Sequence, residues 1–187
     1  MLGWILLGVI VLLALLVIGI YNRLVSQRAL VREAFSGITV QLRRRADLIP
    51  NLVETVKGYA THEREVFEEV SRARAASVNA GSVEATAQAD AQLTGMLGRL
   101  FAVAEAYPEL KANTNFLQLQ DQLASVEGEL QSARRYYNAT ARDLNTTAVA
   151  FPGVLVAGPL GFKEEPYYED ADPAIQSAPK VAFSPAS

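Results

Sequence analysis

The chain has 187 residues, 50% of them apolar, with 17 basic and 20 acidic side chains and a formal net charge of −3. That length suffices for one domain with a real core plus a membrane segment, and the charge balance argues against nucleic-acid binding by the chain as a whole. Cysteine is absent, which excludes disulfides, thiolate nucleophiles, lipid attachment at cysteine and cysteine-based zinc sites together.

Much of the apolar excess lies at the start. Leu2 to Ile20 is a run of nineteen residues without a charge or a side-chain amide. As a helix it reaches about 28 Å, close to the hydrocarbon thickness of a bilayer, and in lipid it has to be a helix, because every backbone polar group must be bonded within the segment. Trp4 and Tyr21 stand at its two ends, where amphipathic rings favour the interface. A cleaved signal peptide is the rival reading. It needs a basic leader, a shorter apolar stretch and small residues at the cut, whereas here the first basic residue is Arg23 and the run leads into Tyr21-Asn22-Arg23. The expectation is a retained anchor that meets the lipid bilayer through residues 2–20. Arg23, Arg28, Arg32, Arg43, Arg44 and Arg45 against the single acid Glu33 give the exit side a charge of +5. The positive-inside rule then places the body in the cytoplasm. The plainer alternative is that Arg43 to Arg45 simply face solvent on the bundle.

Beyond the anchor the chain reads as helix. Leu24, Ala34, Phe35, Ile38 and Leu42 recur at mainly helical spacing, so the anchor continues outward as the first body helix. Pro50 is expected to end or kink it, with Asp47 placed to cap a second helix that carries Leu52, Val56, Tyr59, Ala60, Val66, Phe67 and Val70 and stops near Asn79-Ala80-Gly81-Ser82. A third runs from about Val83 to Ala106, alanine-rich at first, then with Leu93, Met96 or Leu97, Leu100, Phe101 and Ala104 at core spacing. Tyr107-Pro108 stops it. The last helix, capped by Asn113 or Thr114, carries Phe116, Leu119, Leu123, Val126, Leu130, Ala133, Tyr137, Thr140, Leu144, Thr147 and Phe151 at alternating steps of three and four. Such a seam signals packing of helix on helix at shallow angles. The fold expected is all-α: a transmembrane anchor over 1–21, an antiparallel four-helix-like bundle over 22–151, and over 152–187 an apolar Gly/Pro segment followed by a largely disordered acidic tail. Gly153 to Phe162 is too short to span a bilayer and is expected to dock on the bundle, lie on the membrane surface or bind a partner.

Site chemistry is sparse. The single histidine, His62, has Glu54, Glu63 and Glu65 near it in sequence, but on a helix only Glu65 shares its face, so a solvated histidine is the expected state. The sequence holds no G-x-S-x-G, no G-x-G-x-x-G and no Walker loop. Glu127 and Glu129 do not share a helical face. Arg134-Arg135-Tyr136-Tyr137 reads as a helix with Tyr137 in the core and the arginines outside, and Asp47, Pro50 and Asn51 read as a cap, a kink and a bonded amide rather than a recognition corner. No catalytic, cofactor-binding or metal residues and no small-molecule substrate are expected.

One segment is more specific than periodicity. RRRADLIPNLVETVKGYA at Arg43 to Ala60 resembles the hallmark segment of the LemA family of bacterial membrane proteins. Tyr21-Asn22-Arg23-Leu24 after the anchor, Ala102 to Pro108 with Leu110-Lys111-Ala112-Asn113 leading into Phe116 to Gln120, Ala133 to Asn138, Phe151-Pro152, and the closing Gly161-Phe162 and Tyr167-Tyr168 are similar to further blocks of that family. The likeness covers Tyr21 to Tyr168. Phe35 stands where the family has tryptophan, Val126 to Leu130 replaces a threonine-led T-E-N-R-I, and Pro159 interrupts the apolar tail. The resemblance implies an N-terminal membrane helix followed by a bundle of long helices, and it carries over no catalytic residue. Family members in magnetotactic bacteria are associated with making magnetosome membranes, which implies an organising role. The leading expectation is therefore a non-enzymatic, membrane-anchored scaffold that organises protein partners or forms a homo-oligomer through the helix seam and the Leu48-Ile49-Pro50-Asn51 corner. A membrane-tethered sensor or signalling module with a cytoplasmic partner is the alternative, and an accessory subunit of a membrane enzyme is the third reading.

Overall fold

The computed structural model of the chain describes residues 1–169. Six helices follow one another along them: α1 (Leu2–Lys57), α2 (Arg64–Asn79), α3 (Val83–Glu105), α4 (Pro108–Lys111), α5 (Thr114–Val149) and α6 (Val154–Ala157). α1 and α5 are the long members and run antiparallel, and the α2–α3 hairpin packs on the far half of α1. The all-α architecture expected from periodicity is what forms.

α1 is one helix of 56 residues, about 84 Å long at 1.5 Å per residue. Its first part, Leu2 to Gly19, is exposed on every face, and it is long and apolar enough to cross a membrane. From Leu24 onward the same helix turns a stripe inward, with Leu24, Val31, Ala34, Ile38, Leu42, Ala46, Ile49, Leu52, Val53 and Val56 buried. The steps of three and four along that stripe are those of a helix with one apolar face.

Of the two outcomes expected of Pro50, an end or a kink, the end does not occur, and Asp47 caps nothing because it lies mid-helix. Proline has no N–H, so the carbonyl of Ala46, one turn earlier, loses its helical donor. Ala46 is fully buried, and a buried carbonyl left unpaired is costly. The donor comes from another helix: Arg74 Nε of α2 donates to Ala46 O at 2.7 Å. We expect Arg74→Ala to cost about 1–3 kcal/mol, the usual penalty for an orphaned buried acceptor, and markedly less in a Pro50→Ala background, where the restored N–H serves that carbonyl. A double-mutant cycle read by chemical denaturation measures the difference. Equal costs in both backgrounds would show that Arg74 does not serve that carbonyl.

The true break comes at Gly58 to Glu63, where the chain turns and α2 begins at Arg64. The stripe assigned to one second helix is thus shared between the end of α1 and α2. α3 begins where expected: Ser82 caps it, its hydroxyl accepting from the N–H of Ala85 at 3.1 Å. Pro108 does not merely stop α3; it opens the short α4, where its missing N–H is not needed. Asn113 caps α5, its side chain accepting from Phe116 N–H at 3.0 Å.

The α5 seam is buried through Phe116, Leu123, Val126, Leu130 and Tyr137, then shifts by one residue to Ala141, Asn145 and Ala148, with Leu144 still buried. A straight helix of 3.6 residues per turn drifts from a 3.5 repeat in this direction. Phe151, the last seam position by spacing, is exposed. The partner of the seam is α1 of the same chain, so the seam is not a free surface for self-association. After α5 the chain reverses and α6 lies against α1 and α5, with Val156, Ala157 and Phe162 buried. Gly161 adopts a φ of 74°, the left-handed region that favours glycine.

Among the described residues two apolar cores result. One, beside the anchor, gathers Leu24 to Leu42 of α1, the second half of α5, α6, Phe162 and Tyr168. The other, at the far end, gathers Ile49 to Ala60, α2, α3, α4 and the start of α5. Within the tail expected to be largely disordered, Glu165 to Tyr168 is bonded along α5; residues 170–187 lie outside the described residues.

Candidate functional site

Between the two cores sits a buried polar junction. Arg45 occupies a core position of α1, between Leu42 and Ile49, and is 6% exposed; Asp90 of α3 is 1% exposed. Arg45 Nη1 donates to Asp90 Oδ1 at 2.9 Å. Arg134 Nη2 of α5 donates to Asp90 Oδ2, and the hydroxyl of Tyr168 donates to the same oxygen at 2.8 Å. Glu127 of α5 completes the group, with Oε2 3.3 Å from Arg45 Nη1 and Oε1 3.7 Å from Arg134 Nη1. Two arginines meet two carboxylates, so the junction is neutral while the phenol keeps its proton. The Arg134 guanidinium also lies over the Tyr168 ring, 5.4 Å from its centroid, a favourable cation–π placement. One carboxylate thereby ties α1, α3, α5 and the C-terminal segment together.

Tyr168 is brought there by a clasp. Asn145 Nδ2 donates to Glu165 O at 2.9 Å and its Oδ1 accepts from Glu165 N–H at 2.8 Å. Two helical turns earlier, Asn138 does the same for Tyr168, at 3.0 and 2.8 Å. The Tyr137 hydroxyl donates to Pro166 O at 2.7 Å. Two amides seven residues apart lie on one helix face, and each supplies the donor and acceptor that a strand neighbour would supply. The segment from Glu165 to Tyr168 is therefore held through its backbone and seated by one aromatic side chain.

Burial raises the pKa of both tyrosines. Burial and, after it, the Asp90 carboxylate push the Tyr168 phenol well above its ordinary value, against a smaller opposing effect of Arg134. Burial, with the charges of Glu165 and Glu84, pushes Tyr137 up to about 12. For Arg134, burial is the largest single influence and works against the charged form, but the charge and hydrogen bond of Asp90 together with the charges of Tyr168 and Glu127 outweigh it and hold the guanidinium above its usual value. The unfolded chain loses its tyrosine protons near pH 10, while the folded chain keeps these two beyond that. Their contribution is constant below about pH 10 and falls as pH rises above it, by up to ~1.4 kcal/mol per pH unit for each tyrosine. Thermal melts across this alkaline range are expected to show the fall, and Tyr168→Phe to make it shallower. A melting temperature that stays flat through the range would contradict the account.

The residues singled out in sequence lie elsewhere. His62 is exposed on the turn between α1 and α2, and Glu54 pairs with Lys57 at 2.8 Å. Among the described residues, no group of three or more His, Asp and Glu side chains is placed to hold a metal ion. Asp47 is exposed and lies 3.9 Å from Arg43 and 4.0 Å from Arg74. The Asn51 backbone carbonyl accepts from the Thr55 hydroxyl, and its side chain is exposed rather than the bonded amide expected. Of the three arginines at 43–45, Arg43 and Arg44 face solvent, but Arg45 does not; Arg44 reaches Glu129 of α5 at 3.0 Å. Tyr137 is in the core as expected, while Arg134 is not outside with Arg135 but in the junction. An open cleft of about 650 Å³ is lined by Lys57, Thr61, Arg64, Phe67, Glu68, Ser71 and Arg72 at the far end of the bundle. Asp90 and Asn145 were not marked in the sequence, and Asn138 stood there only as part of a block of the family likeness. The available signal was a polar side chain at a core position: Arg45 in the α1 stripe, and Asp90 one helical step from Ala87 and Leu93.

An apolar helix of membrane-crossing length, continuous with a body of long antiparallel helices, defines a class: the membrane-anchored helical-bundle proteins. The profile of the LemA family matches residues 34–183, and the chain belongs to the LemA family. It is 26% identical over 176 residues to the magnetosome protein MamQ of Magnetospirillum gryphiswaldense, covering 80% of this chain and 65% of that protein. It has the same identity and coverage with magnetosome protein MamQ 2 of Paramagnetospirillum magneticum. It is 26% identical over 136 residues to Protein LemA of Metamycoplasma hominis, covering 72% of this chain and 62% of that one. The chain thus spans less than two thirds of the length of these relatives.

Proposed function

We propose that the protein is a non-enzymatic scaffold of a bacterial inner membrane, anchored through residues 2–20, with its body in the cytoplasm, organising protein partners or copies of itself at the bilayer. The observation that carries this reading is α1: residues that fit a bilayer and residues that form the bundle core belong to one unbroken helix. A body joined in this way stands at a fixed height and angle instead of swinging on a tether, which suits positioning more than diffusion-limited encounter. The likeness to magnetosome proteins supports a role at a membrane. Arg23, Arg28 and Arg32 near the exit support the cytoplasmic side; Arg45, engaged with Asp90, no longer counts toward it. With the α5 seam occupied by α1, self-association falls to the anchor helix and to the outer faces of the bundle, where Leu117, Tyr136 and Val40 are exposed. Light scattering of the detergent-solubilised protein tests the assembly: discrete oligomers support it, and a strict monomer at micromolar concentration removes it. A reporter fused after Ser187 and active on one side of the membrane tests the orientation.

The tail clasp favours a second reading, a membrane-tethered relay to a cytoplasmic partner, because a segment held by two amides and one tyrosine can be held or released. Co-purification from membranes separates the two. Large homotypic complexes support the scaffold, and one stoichiometric signalling partner supports the relay.

A further inference from the structure

The described surface carries an apolar patch that the bundle leaves uncovered. Phe151 is 81% exposed and Leu155 65% exposed, with Val149, Val154 and Leu160 also exposed beside them. The five run from the end of α5 through α6 to the residues just after it. The register between α1 and α5 fixes their height. Gln27 donates to Thr147 Oγ1 at 3.0 Å, the Phe35 and Tyr137 rings are 5.9 Å apart, and Arg44 reaches Glu129. The same register carries Phe151 level with Tyr21 and Asn22, where the apolar run of α1 ends. Independent contacts agree. The Phe162 ring, which follows α6, is 6.0 Å from the Tyr21 ring, and the Arg28 guanidinium lies over it at 4.6 Å.

We propose that this corner is a second membrane contact: Phe151, Val154, Leu155 and Leu160 enter the headgroup and upper acyl region of the bilayer beside the anchor helix. The inference rests on the reading of residues 2–20 as a membrane span. The patch is continuous with that span and ends at the same level, so a bilayer placed around Leu2 to Ile20 meets the corner without any movement of the protein. Its surroundings suit the interface: Arg23, Arg28 and Lys163 are basic, Tyr21 is amphipathic, and such residues collect at headgroup depth. A contiguous exposed apolar surface marks an interaction site, and here the span itself dictates which surface reaches it first. A contact at the α5–α6 corner adds a second point of attachment, which resists rocking of the bundle more than a single span does.

The chain has one tryptophan, Trp4, which makes the test direct. The full-length protein is placed in vesicles of phosphatidylcholine and phosphatidylglycerol carrying bromine at a shallow or a deep acyl position. In the native protein, loss of Trp4 emission reports the span. Trp4→Phe combined with Phe151→Trp, and separately with Leu155→Trp, reports the corner; both positions are exposed, so folding is not at stake. The proposal expects emission from each corner variant to be lost with shallow bromine and retained more fully with deep bromine. Trp4→Phe combined with Tyr136→Trp, about 22 Å further from the membrane along α5, is expected to keep its emission in both. If native Trp4 is quenched and neither corner variant is, the corner proposal fails and the span stands. Where neither Trp4 nor the corner is quenched, both fail. Corner emission that is blue-shifted but unquenched shows protein, not lipid, covering the patch, and also overturns the proposal.

Discussion

Asp90→Ala is expected to lower the unfolding free energy of the bundle by about 3–5 kcal/mol, the range for removing one partner of a buried ion pair. The reason is geometric. Asp90 accepts from Arg45, Arg134 and Tyr168 at once, so its loss leaves two guanidiniums facing each other with Glu127 as their remaining counter-charge. Removing Arg45 together with Asp90 is expected to be milder, because Arg134 and Glu127 then balance. Arg45→Met combined with Asp90→Leu tests this, since apolar replacements of similar volume are often tolerated at such sites. Denaturant titration followed by circular dichroism reads both. A cost below about 1 kcal/mol for Asp90→Ala, the level of a surface pair, would mean that the junction does not hold the bundle together.

The second large effect is expected at Gly153. A Cβ at this position would lie 1.9 Å from the carbonyl oxygen of Thr147 and 3.0 Å from that of Ala150. Both are backbone atoms, so no side chain can rotate away. The backbone angles of Gly153, φ −55° and ψ −40°, suit any residue, and the whole penalty is steric. Gly153→Ala should therefore displace the corner between α5 and α6 and cost about 3 kcal/mol, the upper end for overpacking. It should also expose the chain after residue 152 to proteolysis, since α6 carries Phe162 and the clasped segment behind it. Gly128→Ala is the control. That glycine sits in the exposed middle of α5 with nothing within 4 Å of a Cβ, and the change is expected to stabilise by about 1 kcal/mol. Equal tolerance of the two substitutions would contradict the geometry of the corner.

What could be read from the sequence followed locality. The apolar run, the Ser82 and Asn113 caps, the limits of α3 and the α5 seam as far as Tyr137 are set by residues near one another in the chain, and each forms where expected. Pro50 misled because its remedy is distant: the carbonyl it orphans is served by Arg74, which belongs to another helix. The break at Gly58 to Glu63 was hidden because apolar residues continue through it, Val56 and Ala60 handing over to Phe67. Asp90 stands alone among alanines and gains its meaning only when α1 and α5 bring arginines to it. The tail looked unstructured by composition, yet Glu165, Pro166 and Tyr168 at its start are held through backbone groups, which composition does not register. The family could be named from blocks of residues, and those blocks fall on working parts of the fold: Arg45 and Pro50 in the first, Arg134, Tyr137 and Asn138 in the later one, Tyr168 at the close.

The central claim is that the membrane helix and the first bundle helix are one rigid rod. The absence of cysteine allows spin labels to be placed without background. Leu13→Cys, in the apolar run, and Val40→Cys, on the exposed face of the body, are 27 positions apart in α1. Pulsed electron–electron distance measurement on the doubly labelled protein in lipid nanodiscs is expected to give one narrow distribution near 40 Å, the length of that much helix. A broad distribution, or one centred well below that length, would mean a hinge between span and body and would contradict the account.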